Sequence, residues 1–237
     1  MIIIPARLQS SRLARKLLLP LDDMPLIAHT AKNAQKVDET IVACDSDEIL
    51  EVCKKHNIKA ILTSPTHSSG TDRCAEVAKK LDLPSDEIVI NLQGDEPFLE
   101  AEVIKILQDS MRKTKFMASC YKAISKTESN DINLVKVVLD KDNFALYFSR
   151  SVIPYERDSS DCAEYYGHIG IYGFFAWSLE EFCRLESSPL ESIEKLEQLR
   201  ALWHKKEIFM AEVSTKSIGI DTQEDYNNAL HFIKGIK

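Results

Sequence analysis

Four short apolar runs, rich in β-branched residues, recur along the first half of the chain: "MIII", "ETIVAC", "KAILT" and "EIVINLQ". Each is too short for a buried helix and has the composition of a buried strand. Between them lie stretches of helical period, "LIAHTAKNAQKV", "DEILEVCKKHN" and "TDRCAEVAKKL". In the last of these Cys74, Val77, Ala78 and Leu81 share one face. Thr71 or Ser69 is available to cap that helix, and Asp72 suits its first turn. Strand and helix in alternation predict βαβ units on a mainly parallel sheet, an α/β fold.

The second half breaks the alternation. "LVKVVLD" and "FALYFSR" are separated only by "KDN", which predicts a hairpin and hence an antiparallel or mixed extension. "HIGIYGFFAW" reads as a further strand, "PLESIEKLEQLRALWHKK" as one long helix and "IFMAEVS" as a last strand. "GIDTQEDYNNALHFIKGIK" then reads as a turn leading into a terminal helix. No repeat or linker divides the chain. The expectation is one domain over 1–237, with a smaller sheet lobe inserted within about 125–205.

The 237 residues suffice to bury roughly 70–75% of the surface exposed when unfolded. No disulfide or structural metal is needed to hold such a core. Against 30 Lys and Arg stand 37 Asp and Glu, a net charge of −7, which argues against a general nucleic-acid binder. Cys44, Cys53, Cys74, Cys120, Cys162 and Cys183 form no C-x-x-C pair and fit neither a zinc site nor a disulfide framework. They read as small buried hydrophobes in a reducing compartment. "MIII" runs at once into Pro5 and Arg7, unlike a signal peptide. No window approaches the ~20 apolar residues of a membrane helix. The expected location is the cytoplasm.

Within this acidic chain, "PARLQSSRLARK" concentrates Arg7, Arg12, Arg15 and Lys16 without one acid. It follows the first strand, where doubly wound sheets bind nucleotides. Glycine-rich phosphate loops are excluded there, because the first glycine is Gly70. That counts equally against a nicotinamide-linked oxidoreductase. Phosphate binding would fall to cationic side chains; a solvated basic loop is the bland alternative.

Two carboxylates complete the picture. In "EIVINLQGDEPFL", Gly94 permits a tight turn or close approach of a ligand. Asp95 then stands at the carboxyl end of a strand, where it suits Mg²⁺; an ordinary Asp-Glu-Pro turn is the alternative. In "GIDTQED", Asp221 is either a helix N-cap or a second metal carboxylate. Two carboxylates converging beside a cationic loop would make a phosphoryl- or nucleotidyl-transfer site.

"PAR..SSRL..K", "SSGTDR", "NLQGDEP", "VKVVLD", "LYFSR", "HIGIYG", "LEQLR" and "GIDT.ED" occur in one order. As a set, from Ile2 to about Asp225, they resemble the CMP-Kdo synthetases, or 3-deoxy-manno-octulosonate cytidylyltransferases. The resemblance implies a Rossmann-like nucleotide-diphospho-sugar transferase fold, with helices on both faces of the sheet. It implies a homodimer that couples CTP to the sugar acid Kdo, with Mg²⁺, for lipopolysaccharide biosynthesis. Pro5, Ala6 and Arg7 would border the nucleotide, and Arg12 and Lys16 would hold its phosphates. Ser69, Gly70, Thr71 and Arg73 would help form the cytidine pocket. Asp95 and Asp221 would bind Mg²⁺ and, with Arg12 and Lys16, carry catalysis. Gln93, Arg150, Arg157, His168, Tyr172, Glu197 and Gln198 would line the Kdo pocket.

The chain departs from the family pattern where Pro and Gly usually precede the loop lysine; Ala14 and Arg15 stand there instead. Its relatives the CMP-sialic acid synthetases resemble a Gln-Pro-Thr-Ser-Pro pattern at the strand end, whereas "NLQGDEP" fits Kdo. A catalytically silent nucleotide-binding module would predict loss of the metal carboxylates, and both are present.

Overall fold

The computed structural model describes residues 1–10, 12–158 and 163–236, so Cys162 lies outside the described residues. Its first part runs β1 (Ile2–Ala6), β2 (Pro20–Leu21), β3 (Met24–Pro25), α1 (Leu26–Ala34), β4 (Thr40–Cys44) and α2 (Asp47–Lys55). There follow β5 (Lys59–Leu62), α3 (Gly70–Lys80), β6 (Ile88–Asn91), α4 (Ala101–Ser110), β7 (Met117–Ile124) and α5 (Lys126–Ser129). Then come β8 (Lys136–Leu139), β9 (Ala145–Ser149), β10 (Tyr165–Phe175), α6 (Ala176–Arg184) and α7 (Pro189–Glu194). The chain closes with α8 (Leu199–Trp203), β11 (Ile208–Glu212) and α9 (Gln223–Ile236).

The four runs that open the sequence are β1, β4, β5 and β6, and they pair in parallel as expected. The sheet order is β11-β7-β10-β6-β1-β4-β5. Successive residues of β1 alternate between two cores. Ile2, Ile4 and Ala6 join one apolar cluster and Ile3 the other, and Val42 and Ile41 of β4 divide in the same way. Strands buried on both faces need near-continuous apolar sequence, which is why these runs are legible. From β1 the chain moves outward to β4 and β5, then returns to place β6 on the opposite side. The carboxyl ends of β1 and β6 therefore flank the switch point, where open α/β sheets bind ligands.

The predicted hairpin is β8–β9, antiparallel from Lys136↔Ser149 to Leu139↔Ala145. It joins the main sheet through β10, whose amino-terminal part pairs with β8 and whose carboxyl-terminal part pairs with β6. The smaller lobe is thus continuous with the sheet. A separate two-stranded sheet, β2–β3, lies just beyond the basic loop. The elements β7, α4 and α6 were not among those expected.

The long helix expected over 189–206 is not one helix. It is broken between α7 and α8 by Lys195, whose backbone is left-handed at φ 56°. Leu196 is buried by the turn that results, and burial of such a side chain is worth roughly 1.5–3 kcal/mol. The turn also redirects Glu197 and Gln198. At Gly94 the structure offers a different reason for glycine. No described glycine has a positive φ; a Cβ on Gly94 would meet the side-chain ends of Leu17 and Ile27 at 3.2 Å, so a larger residue would require those two core side chains to give way. No helix among the described residues is long and apolar enough to cross a membrane.

Candidate active site

The basic loop leaves β1 at the switch point. Leu8 N–H donates to Asp45 Oδ1 at 2.9 Å, fixing the start of the loop to the end of β4. The loop then tightens into a short 3-10 turn at Lys16–Leu18, entered through Arg15 at φ 52°, ψ 32°. That is a left-handed conformation natural to glycine. The replacement of the family's Gly by Arg15 therefore leaves the backbone in a glycine-like state, and the Arg15 guanidinium pairs with Glu48.

Lys16 turns inward. Its ammonium donates to Asp95 Oδ2 at 2.5 Å and to Asp221 Oδ1 at 2.7 Å, and Arg12 reaches Asp221 Oδ2 at 3.0 Å. Burial alone would lower the Lys16 pKa, but the two carboxylates outweigh it and hold the ammonium charged above its ordinary value. Asp221 is not a cap. Thr222 and Asp225 cap the terminal helix: Thr222 Oγ1 accepts the Asp225 N–H, and Asp225 Oδ2 accepts the N–H groups of Asp221 and Thr222. The Asp221 side chain is thereby left for the site.

Asp95 and Asp221 together present hard oxygen donors, bridged by the Lys16 ammonium, with Arg12 on the second oxygen of Asp221. Such a pair suits Mg²⁺, which is commonly held by one or two carboxylates plus substrate phosphates. Glu96 lies beside them with its pKa pushed up to about 7, first by burial and then by the charge of Asp95.

The floor of the site comes from α3. Ser69 is its N-cap, accepting the Asp72 N–H at 3.1 Å. A Cβ on Gly70 would come within 3.0 Å of Pro5, so glycine lets the helix terminus approach the end of β1. Thr71 points into the interior, donating to Glu197 Oε2 at 2.9 Å and accepting from Asn91 Nδ2 at 3.2 Å. Gln93 Nε2 donates in turn to Asn91 Oδ1 at 3.4 Å. Arg73 is fully buried: its Nη1 reaches Thr63 Oγ1 at 2.5 Å and Ser64 O at 3.1 Å, and its Nη2 reaches Asp45 Oδ2 at 3.4 Å. It is a strut beneath the basic loop through Asp45, rather than a wall of an open pocket. Arg7 is exposed, with its guanidinium on His67 O.

A second polar chain continues from β6 to β10, where Tyr172 pairs with Asn91. A bulge between Ile169 and Tyr172 shifts the register against β7 and brings the rings of His168 and Tyr172 to 5.6 Å. Ser119 Oγ donates to Ile171 O at 2.8 Å, so the 2.8 Å contact of His168 Nε2 with Ser119 Oγ is served by an N–H on Nε2. His168 Nδ1 then faces Gln198 Nε2 at 3.5 Å, while Gln198 Oε1 accepts from the Tyr172 hydroxyl at 3.1 Å. Burial drives the His168 pKa down to about 3, keeping the ring neutral. Burial likewise raises the Glu197 pKa, against the hydrogen bonds from Ser69 and Thr71. Glu197 Oε1 has no hydrogen-bond partner among the described residues; the Arg200 guanidinium is 4.0 Å away.

Thus Gln93, His168, Tyr172, Glu197 and Gln198 are brought together, whereas Arg150 and Arg157 are not. Arg150 donates from Nε to Glu194 O at 2.8 Å and from Nη1 to Ile132 O at 3.0 Å, tying the lobe to the end of α7. Arg157 is 90% exposed, with Asp158 at 3.5 Å. Sequence reasoning missed Asn91 and Ser119, which link the site residues, and Lys136. Lys136 is fully buried and donates to the carbonyls of Asp131, Leu134 and Arg150 at 2.6–2.8 Å. A lysine inside the apolar run "LVKVVLD" was the available signal.

The cytidylyltransferase family model matches residues 1–208. The 3-deoxy-manno-octulosonate cytidylyltransferase of Wolinella succinogenes is 54% identical over 238 residues, covering 97% of this chain and 98% of that protein. That of Helicobacter pylori (strain 26695) is 54% identical over 233 residues, covering 97% and 96%. Among solved structures, a CMP:2-keto-3-deoxy-manno-octonic acid synthetase complexed with CTP superposes with a TM-score of 0.93 at 37% identity, covering 100% of this chain and 98% of that one. A 4-diphosphocytidyl-2C-methyl-D-erythritol synthase from Anaerococcus prevotii, at 18% identity and a TM-score of 0.65, shares the fold.

Proposed function

The chain belongs to the 3-deoxy-manno-octulosonate cytidylyltransferase family, and from that premise we propose that it couples CTP to Kdo, giving CMP-Kdo and pyrophosphate for lipopolysaccharide biosynthesis. The observation that carries this reading is the cluster at the switch point. Two cations from the basic loop meet two carboxylates from distant turns, on the side of the sheet where a nucleotide triphosphate would lie.

In the reaction, the anomeric hydroxyl of Kdo attacks the α-phosphorus of CTP in line, and pyrophosphate leaves. The protein contributes positioning and charge neutralisation more than covalent chemistry. Lys16 and Arg12 hold the phosphates and stabilise the charge that builds on the departing pyrophosphate. Ser69, Gly70 and Thr71 place the start of α3 beside the end of β1, where the nucleoside is received. His168, Tyr172, Gln198 and the free Glu197 Oε1 form the polar wall that reads the sugar hydroxyls. Arg150, occupied by two carbonyls, holds the turn that carries Glu197 and Gln198 instead of meeting the sugar carboxylate directly. Mg²⁺ held by Asp95 and Asp221 would neutralise phosphate oxygens and favour ionisation of the sugar hydroxyl.

The enzyme is read as a cytoplasmic homodimer. The exposed Ile132, Leu146, Tyr155 and Ile193 of the smaller lobe suit a subunit contact. The free thiols of Cys44, Cys53, Cys74, Cys120 and Cys183 suit a reducing compartment. The test is chemical: incubation with CTP, Mg²⁺ and Kdo should yield a CMP-linked sugar acid of the mass of CMP-Kdo. Its absence, with intact CTP recovered, would reject the assignment.

A further inference from the structure

Glu96, the acid next to Asp95, has no part in the chemistry above, yet it reaches across the fold. Ser217 Oγ donates to Glu96 Oε2 at 2.8 Å, spanning 121 positions. The Gly219 backbone packs on the same carboxylate so closely that a Cβ there would lie 2.8 Å from Oε1. One turn further along, Glu100 accepts the Thr215 hydroxyl on Oε2 at 2.5 Å and the Lys216 N–H on Oε1 at 3.0 Å. The Ile220 N–H donates to Asp95 O at 3.0 Å.

The segment these groups grip, 213–221, is neither helix nor strand. Having no ladder of its own, it takes its position from what it bonds to. Downstream, Asp225 clamps the Asp221 N–H at 3.0 Å. Upstream, the two glutamates of the 95–100 turn do the equivalent work. We propose that Glu96 is a positioning residue that sets Asp221 against Asp95, with Glu100 anchoring the same segment. This rests on the reading of Asp95 and Asp221 as the metal and phosphate carboxylates.

The experiment is a double-mutant cycle with two readouts, pyrophosphate release and Mn²⁺ binding by titration calorimetry in the presence of CTP. Glu96→Ala is expected to lower kcat/KM by about 10–100-fold, the scale of a misplacement of roughly 1 Å. Glu96→Gln, which can still accept the Ser217 hydroxyl, is expected to stay within about threefold. In an Asp221→Asn background, Glu96→Ala should cost less than about threefold more, because residues acting as a unit are non-additive. Mn²⁺ affinity should weaken in Glu96→Ala and recover in Glu96→Gln. If Glu96→Ala does not fold, Ser217→Ala carries the same comparison.

Equal losses in both backgrounds, or unchanged Mn²⁺ affinity in Glu96→Ala, would overturn the positioning role while leaving the carboxylate reading intact. Full activity of Asp221→Asn would overturn the carboxylate reading itself, and the positioning role with it.

Discussion

Lys16 and Asp221 are 205 positions apart in sequence, and the Lys16 ammonium lies 2.7 Å from Asp221 Oδ1. The same ammonium holds Asp95, so one side chain joins the loop after β1, the turn after β6 and the approach to the terminal helix. Removing it should be felt in turnover. Lys16→Ala is expected to lower kcat by roughly 10²–10³, the scale of losing one preorganised electrostatic donor. Asp95→Asn should lose at least as much, with an unchanged circular dichroism spectrum. Near-normal turnover in folded Asp95→Asn would remove that residue from the metal role.

Thr71 links two parts of the site from below. Thr71→Val keeps the shape but removes one of the two donors to Glu197, leaving the buried carboxylate the Ser69 contact alone. The expected cost is about 1–3 kcal/mol of stability in urea denaturation, with Thr71→Ser recovering most of it. Equal stability of Thr71→Val and the parent would mean that the contact contributes nothing to the fold.

His168 makes stability fall in acid. Its pKa, lowered by burial to about 3 in the folded chain, returns to about 6.5 on unfolding. Between those values the unfolded state binds more protons. The contribution is therefore complete above about pH 6.5 and is lost as pH drops toward 3, at up to ~1.4 kcal/mol per pH unit. Thermal melts should show this slope, and His168→Asn should flatten it. An unchanged slope in the variant would assign the acid sensitivity elsewhere.

Arg15 should tolerate glycine and reject a branched side chain. Its φ of 52° is left-handed, a conformation that costs an ordinary residue about 1–2 kcal/mol. Arg15→Gly relieves that strain while loosening the unfolded chain, so stability should move by less than about 1 kcal/mol. Arg15→Val should be clearly less stable than both, and its KM for CTP should rise as the Lys16 turn distorts. Equal stability of the valine variant would show that the turn relaxes freely.

The central strands were legible because burial on both faces demands unbroken apolar runs, and β1, β4, β5 and β6 have them. The hairpin was legible from its short polar connection. The break at Lys195 was not, because neither Gly nor Pro marks it and the flanking residues keep helical period. Charge clustering singled out Lys16 and a strand end singled out Asp95, but composition gives no hint of direction. Arg73 has the look of a ligand-binding cation and is instead buried on Thr63, Ser64 and Asp45. Asp221 was ambiguous between cap and ligand until Thr222 and Asp225 were seen to share the capping. Arg150 was expected to line the sugar pocket, but its partners are carbonyls that no local pattern announces.

The most direct measurement is the initial rate of pyrophosphate release from CTP and Mg²⁺, with Kdo and sialic acid offered in parallel and a chelator control. Release with Kdo alone, abolished by removing the divalent cation, is the predicted result. Release with sialic acid instead would contradict the sugar assignment, and no release with either, despite CTP binding, would contradict the enzyme itself.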